Sequence, residues 1–283
     1  MLSWLSLAIQ AQPQLDPPAW SELRLELPPA LTVKADLKTI TADQARPELL
    51  ERPGALKPHG KVYRLRVETR LKWFLSSKTW LGQLWMQPDL TALQRNRLKI
   101  GPGGDYKTYR YAAPGVYRIR QQPNNPEQEL KPPTTWPITN ETFHAFPQTV
   151  IRRCALISDP YAILLLLSQD WPTAETVVCL FNKEGVYPVS FQPTGPEPVQ
   201  VNYRLGQGAK SHPVQALIHA ERIRIHPLPQ EAEGNDPEPF EFLGMEGDII
   251  FLRDPKTRLP LQIEGEVPGF GRAKLVLSWV KLR

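Results

Sequence analysis

The chain has 283 residues, a formal net charge of +5, 41% hydrophobic residues, and 31 prolines beside 17 glycines. So many proline and glycine positions exclude an architecture of long helices and favour short strands joined by irregular loops. The modest charge permits weak attraction to anionic surfaces without calling for nucleic acid, and the length suffices to bury a core without metals or disulfides.

Residues 2–9 form an apolar run followed by Gln10, Ala11, Gln12 and Pro13, which resembles a truncated secretion signal ending at Ala11. No Lys or Arg precedes the run and it is short, so two compartments stay open: periplasmic if it is a signal, cytoplasmic if it is not. No stretch reaches the roughly 18 apolar residues of a transmembrane segment, and no cysteine stands near the start to carry a lipid. Residues 1–60 are proline-rich and weakly patterned apart from a candidate strand at 31–40. They read as an N-terminal arm that adds one edge strand to a single antiparallel β domain over 61–283.

From Lys61 the pattern sharpens. Tyr63, Leu65, Val67, Leu71 and Trp73 alternate with Arg64, Arg66, Glu68, Arg70 and Lys72, as in a half-buried strand. Strands at 79–86 and 92–100 flank a turn at Gln87, Pro88 and Asp89. Residues 106–111 and 116–121 then pair as a hairpin across Pro114 and Gly115. Residues 122–147, polar and rich in proline, read as an extended loop over the sheet.

The exception is SDPYAILLLLSQDWP, residues 158–172. Ser158 or Asp159 caps it, Pro160 suits the first helical position and Pro172 stops it, which predicts a helix over 159–169. Tyr161, Ile163, Leu164, Leu165, Leu166 and Leu167 leave no polar face, so this helix has to be enclosed as a core plug. Further strands are expected at 176–181, 186–192, 199–205, 214–218 and 221–226. The closing segment reads as three antiparallel strands, reversed first at Asp254-Pro255-Lys256-Thr257 and then at Pro268-Gly269-Phe270-Gly271. The fold class is all-β: a curved antiparallel sheet or half-barrel of meandering strands around one short apolar helix.

The order of KVYRLRVETRLKWF, a Trp-containing strand with a Pro/Asp turn, a tyrosine-rich hairpin, DPYAILLLL and DPKTRLPLQIEGEVPGFGRAKL resembles an uncharacterised bacterial envelope family, the domain of unknown function numbered 3108, over about residues 61–283. That family is similar to the half-barrel lipoprotein carriers. The resemblance implies export and an apolar cavity inside a curved sheet, and it identifies no catalytic residues.

The residues themselves carry little chemistry. His212, His219 and His226 stand seven apart, which on a strand sends successive members to opposite faces, and His59 and His144 are isolated. No metal site, cofactor or nucleotide loop is expected. Cys154 and Cys179 flank the plug without zinc spacing and read as buried thiols, a single bridge being open to them in an exported chain. Glu264 and Glu266 share a strand face at a spacing that any solvated strand gives, so catalysis is not expected. The remaining candidate is a basic interaction face: Arg64, Arg66, Arg70 and Lys72 on one strand, Arg118 and Arg120 on a second, Arg222 and Arg224 on a third. Two functions follow. One is a non-catalytic scaffold that docks on a partner protein; the other is a carrier of a lipid or other amphiphile. Nucleic acid is not expected, because the aromatics alternate opposite the charges.

Overall fold

The computed structural model describes residues 16–73, 76–101, 103–154, 156–170, 172, 174–206, 210–228 and 239–283. The signal-like run at 1–11 lies outside these residues. The strands are β1 Trp20–Leu27, β2 Leu31–Thr41, β3 Lys61–Trp73, β4 Ser76–Met86, β5 Ala92–Ile100, β6 Asp105–Ala112, β7 Gly115–Gln121, β8 Ile138–Ala145, β9 Ile157–Ser158, β10 Thr176–Asn182, β11 Gly185–Leu205, β12 His212–Pro227, β13 Glu241–Phe242, β14 Met245–Arg253, β15 Pro260–Val267 and β16 Gly271–Leu282. They form one sheet in the order β8-β7-β6-β5-β4-β3-β2-β1-β16-β15-β14-β12-β11-β10-β9, with β13 paired to β14. Almost all neighbours are antiparallel. A parallel contact of Arg204 and Leu205 with Trp279 and Val280 joins β11 back to β16, closing a ring through β12, β14 and β15.

The all-β expectation holds, and so do the turns of the closing meander. Asp254 accepts the backbone N–H groups of Lys256 (2.7 Å) and Thr257 (2.8 Å) on one carboxylate oxygen, the side-chain acceptor that a turn before β15 needs. Among the described residues, no helix is long and apolar enough to cross a membrane.

Three expectations are corrected. Residues 20–41 are not an arm with one edge strand: β1 and β2 lie inside the sheet and link β3 to β16. Their alternation is regular, with Leu23, Leu25, Leu31, Val33, Ala35 and Leu37 buried, and the prolines around them end the strands instead of interrupting them. Residues 138–145 are the strand β8 and not part of a loop. Nearly all of its residues are exposed, so it has no hydrophobic alternation to read. The four short strands expected between 186 and 226 are two long ones, β11 and β12. Pro193, Pro196 and Pro198 sit where β11 changes register against β12 and do not break it.

The plug is a 3-10 turn, Pro160–Ala162, running into a single helical turn, Ile163–Leu166. It is shorter than the predicted 159–169. Beyond Leu167 the chain tightens, with Ser168 N–H donating to Leu165 and Gln169 N–H to Leu166, while the Arg253 guanidinium draws off the carbonyls of Leu167 and Gln169. Ile163, Leu164, Leu165, Leu166 and Leu167 are all buried to within 2% and belong to the main core. Burying these five side chains contributes roughly 8–15 kcal/mol before entropy is counted. A bond between Cys154 and Cys179, in place of the expected thiols, brackets the plug on both sides. It forms because β10 lies in parallel beside β9, which brings Cys179 opposite Ile157.

Candidate functional site

Directly opposed residues of antiparallel strands share a face, so the register places specific side chains on the concave wall. One row runs Leu65, Leu84, Arg95, Tyr109, Arg118 and Thr142; the next runs Val67, Gly82, Arg97, Lys107, Arg120 and Asn140. The wall is apolar on β3 and β4 and turns basic on β5, β6 and β7. Among the described residues of β5, β6 and β7, six cations lie on it: Arg95, Arg97, Lys99, Lys107, Arg118 and Arg120. Asp105 meets Lys107 (3.3 Å) and Arg120 (3.2 Å), Glu184 meets Arg118 (2.6 Å), and Glu241 approaches Arg97 only to 3.9 Å.

At the base of this wall Arg95 is only 6% exposed. Its Nη1 forms an ion pair with Asp159 Oδ2 at 3.2 Å, and its guanidinium lies 4.1 Å from the centre of the Tyr109 ring. Asp159, the cap of the plug, also accepts the Tyr111 hydroxyl (2.7 Å) and the Tyr161 N–H (3.0 Å). Burial pushes the Asp159 carboxyl above its ordinary value, although Arg95 and the Tyr111 hydroxyl oppose this. Burial and the neighbouring Asp159 hold the Tyr111 hydroxyl well above the usual phenol range. The Arg95 Nε–H is buried with no hydrogen-bond partner among the described residues. A cavity of about 60 Å³ adjoins it, lined by Arg95, Arg97, Trp80, Tyr161, Asn182 and Glu241 among others. Tyr161 reaches this wall because β4 carries Gly82 there; a Cβ at that position would stand 2.3 Å from the Tyr161 ring.

The basic face read from the sequence is not assembled. On β3 the residues Arg64, Arg66, Arg70 and Lys72 oppose the buried Tyr63, Leu65 and Val67 and lie on the convex side; Arg222 and Arg224 do the same on β12 opposite Ile223 and Ile225. Only Arg118 and Arg120 face inward, both on β7, four strand positions from β3. The three groups are on separate strands of a curved sheet, and most members have a local carboxylate: Arg64 with Glu48, Arg70 with Glu68, Arg222 with Glu197, Arg224 with Asp248. Residues 163–167 are core, as expected, while Tyr161 is only partly buried and packs against that core. Arg95, Arg97 and Lys99 were missed, although they alternate along one strand, opposite Tyr109, Lys107 and Asp105 of the next. Glu264 is held by Lys274 (3.1 Å) and the amide of Gln262 (2.5 Å). His226 pairs with Asp248, while His144 sits on the concave side 5.8 Å from the Phe181 ring, its pKa lowered by burial. Among the described residues, no group of three His, Cys, Asp or Glu side chains converges as a metal site.

No family model matches the chain, and no curated protein matches it. A solved structure similar to it is the β-barrel-like protein of the domain of unknown function DUF1849 from Brucella abortus, 9% identical, with a TM-score of 0.45 over 95% of this chain and all of that one. By its own strand order this chain is a mainly antiparallel β domain with one closed ring of strands.

Proposed function

We propose that the chain is a non-catalytic scaffold of the bacterial cell envelope that docks on a partner protein and does not carry a lipid. The observation behind this reading is the plug: Ile163 to Leu167 occupy the interior that an amphiphile would need. The resemblance to the envelope family numbered 3108 and the bond between Cys154 and Cys179 both suit an oxidising, periplasmic compartment. With β1 and β2 built into the sheet, the docking surface passes from the N-terminal segment to β8. This strand ends the sheet, pairs with β7 alone among the described residues, and exposes Ile138 and Phe143. An edge of this kind accepts an added strand.

The test joins two measurements. A photocrosslinking residue in place of Phe143, activated in native cells, is expected to give one discrete protein adduct, and the same residue in place of the exposed Arg46 none. Native mass spectrometry of the purified chain is expected to give the bare mass. Stoichiometric bound amphiphile without an adduct at position 143 would replace docking by the carrier function.

A further inference from the structure

Resting on that docking reading, we propose that the concave wall at Arg95 and Arg97 is the seat of a carboxylate presented by an acidic segment of the partner protein. A buried guanidinium with one N–H unmatched is costly. Arg95 has such an Nε–H and lines a cavity of about 60 Å³. In this measure one water takes roughly 10–15 Å³, so the space accepts a carboxylate group and its methylene. The Nη1 atom is paired with Asp159, the Nε–H has no acceptor among the described residues, and guanidinium edges match planar carboxylates.

Arg97 is the second donor. Its 3.9 Å separation from Glu241 is loose, and Glu241 keeps Lys183 at 3.8 Å if Arg97 turns to a ligand. The wall carries six cations against the four carboxylates Asp105, Asp159, Glu184 and Glu241, an excess that draws in an acidic chain. Glu241 already lines the cavity and Asp159 already pairs with Arg95, so a monoanion is favoured over a doubly charged phosphate. Two strands away, a groove of about 490 Å³ past Arg118 and Arg120 gives the rest of such a segment a path along the wall.

The probe is hexaglutamate, titrated into the full chain while the indole N–H of Trp80 is followed by NMR. A saturable shift is expected, with Kd at least tenfold higher in Arg97→Met and an unchanged urea midpoint. Since Arg95→Met removes a core ion pair and risks the fold, Arg118→Met serves as the second variant, with an expected weakening of about threefold. No shift in the wild type, or equal affinity in Arg97→Met, overturns the seat. Inorganic phosphate or phosphatidylglycerol vesicles binding this site more tightly than hexaglutamate would assign it to phosphate and equally overturn the proposal. A protein adduct at Phe143 without any hexaglutamate response sinks the seat alone, while the reverse pair of results sinks the docking reading alone.

Discussion

The two ends of the plug are held by the same ingredients, an arginine and a carboxylate, yet they differ in how completely those groups are satisfied. At the C-terminal end Arg253 donates to the carbonyls of Leu167 (2.9 Å) and Gln169 (2.5 Å) and to Glu221 (2.8 Å), and Arg258 bridges Glu221 to Asp170. Trp20 adds a bond from its indole to Ser168 at 2.9 Å. At the N-terminal end Asp159 is saturated, but Arg95 keeps one N–H unmatched beside a cavity. A latch that only holds structure satisfies nearly every donor it buries. The N-terminal end holds the plug and also leaves room for something else.

The strongest challenge to this contrast is Asp159→Ala. It strands Arg95 and the Tyr111 hydroxyl and removes the cap, with an expected loss of about 3–5 kcal/mol in urea unfolding; a loss below 1 kcal/mol would mean that the pair is not buried as described. At the other end Arg253→Met orphans two carbonyls but leaves Glu221 with Arg258, so a smaller loss of about 2–3 kcal/mol is expected from the same measurement.

The smallest effect is in acid, where the two carboxylates act in opposite senses. Burial raises Glu221, but hydrogen bonds and charge from Arg258 and Arg253 outweigh it and hold its carboxyl below the ordinary value. Its contribution is therefore complete above the unfolded pKa and is lost as pH falls through the folded one. Asp159 is displaced upward, so it favours the fold as pH falls from above its folded pKa toward the unfolded one. Between pH 7 and about pH 3, Glu221→Gln should flatten the acid loss of stability and Asp159→Asn should steepen it. Equal slopes in both variants would erase the distinction between the two ends.

Much of the fold was legible because alternation is a local signal: β3, the hairpin of β6 and β7, the closing meander and the enclosed plug each announce themselves within about ten residues. The long strands β11 and β12 were obscured by prolines that a register shift accommodates, and β8 by having both faces in water. The site was harder to see. Arg64, Arg118 and Arg222 look alike in sequence, and only the curvature and order of the strands decide which points inward. Arg95 gave a usable sign, since it alternates with Arg97 and Lys99, but its value depends on Asp159, 64 residues away in the chain, being folded back across it.

The pairing of β1 with β16 has a kinetic consequence. Trp20 lies against Leu282 and Leu25 against Leu277, and this seam is the central join between the two halves of the sheet. Closing the sheet along this seam requires segments about 250 residues apart to meet. Such distant encounters are slow. Refolding should therefore show a late, cooperative zipping step that coincides with the burial of the Trp20 indole.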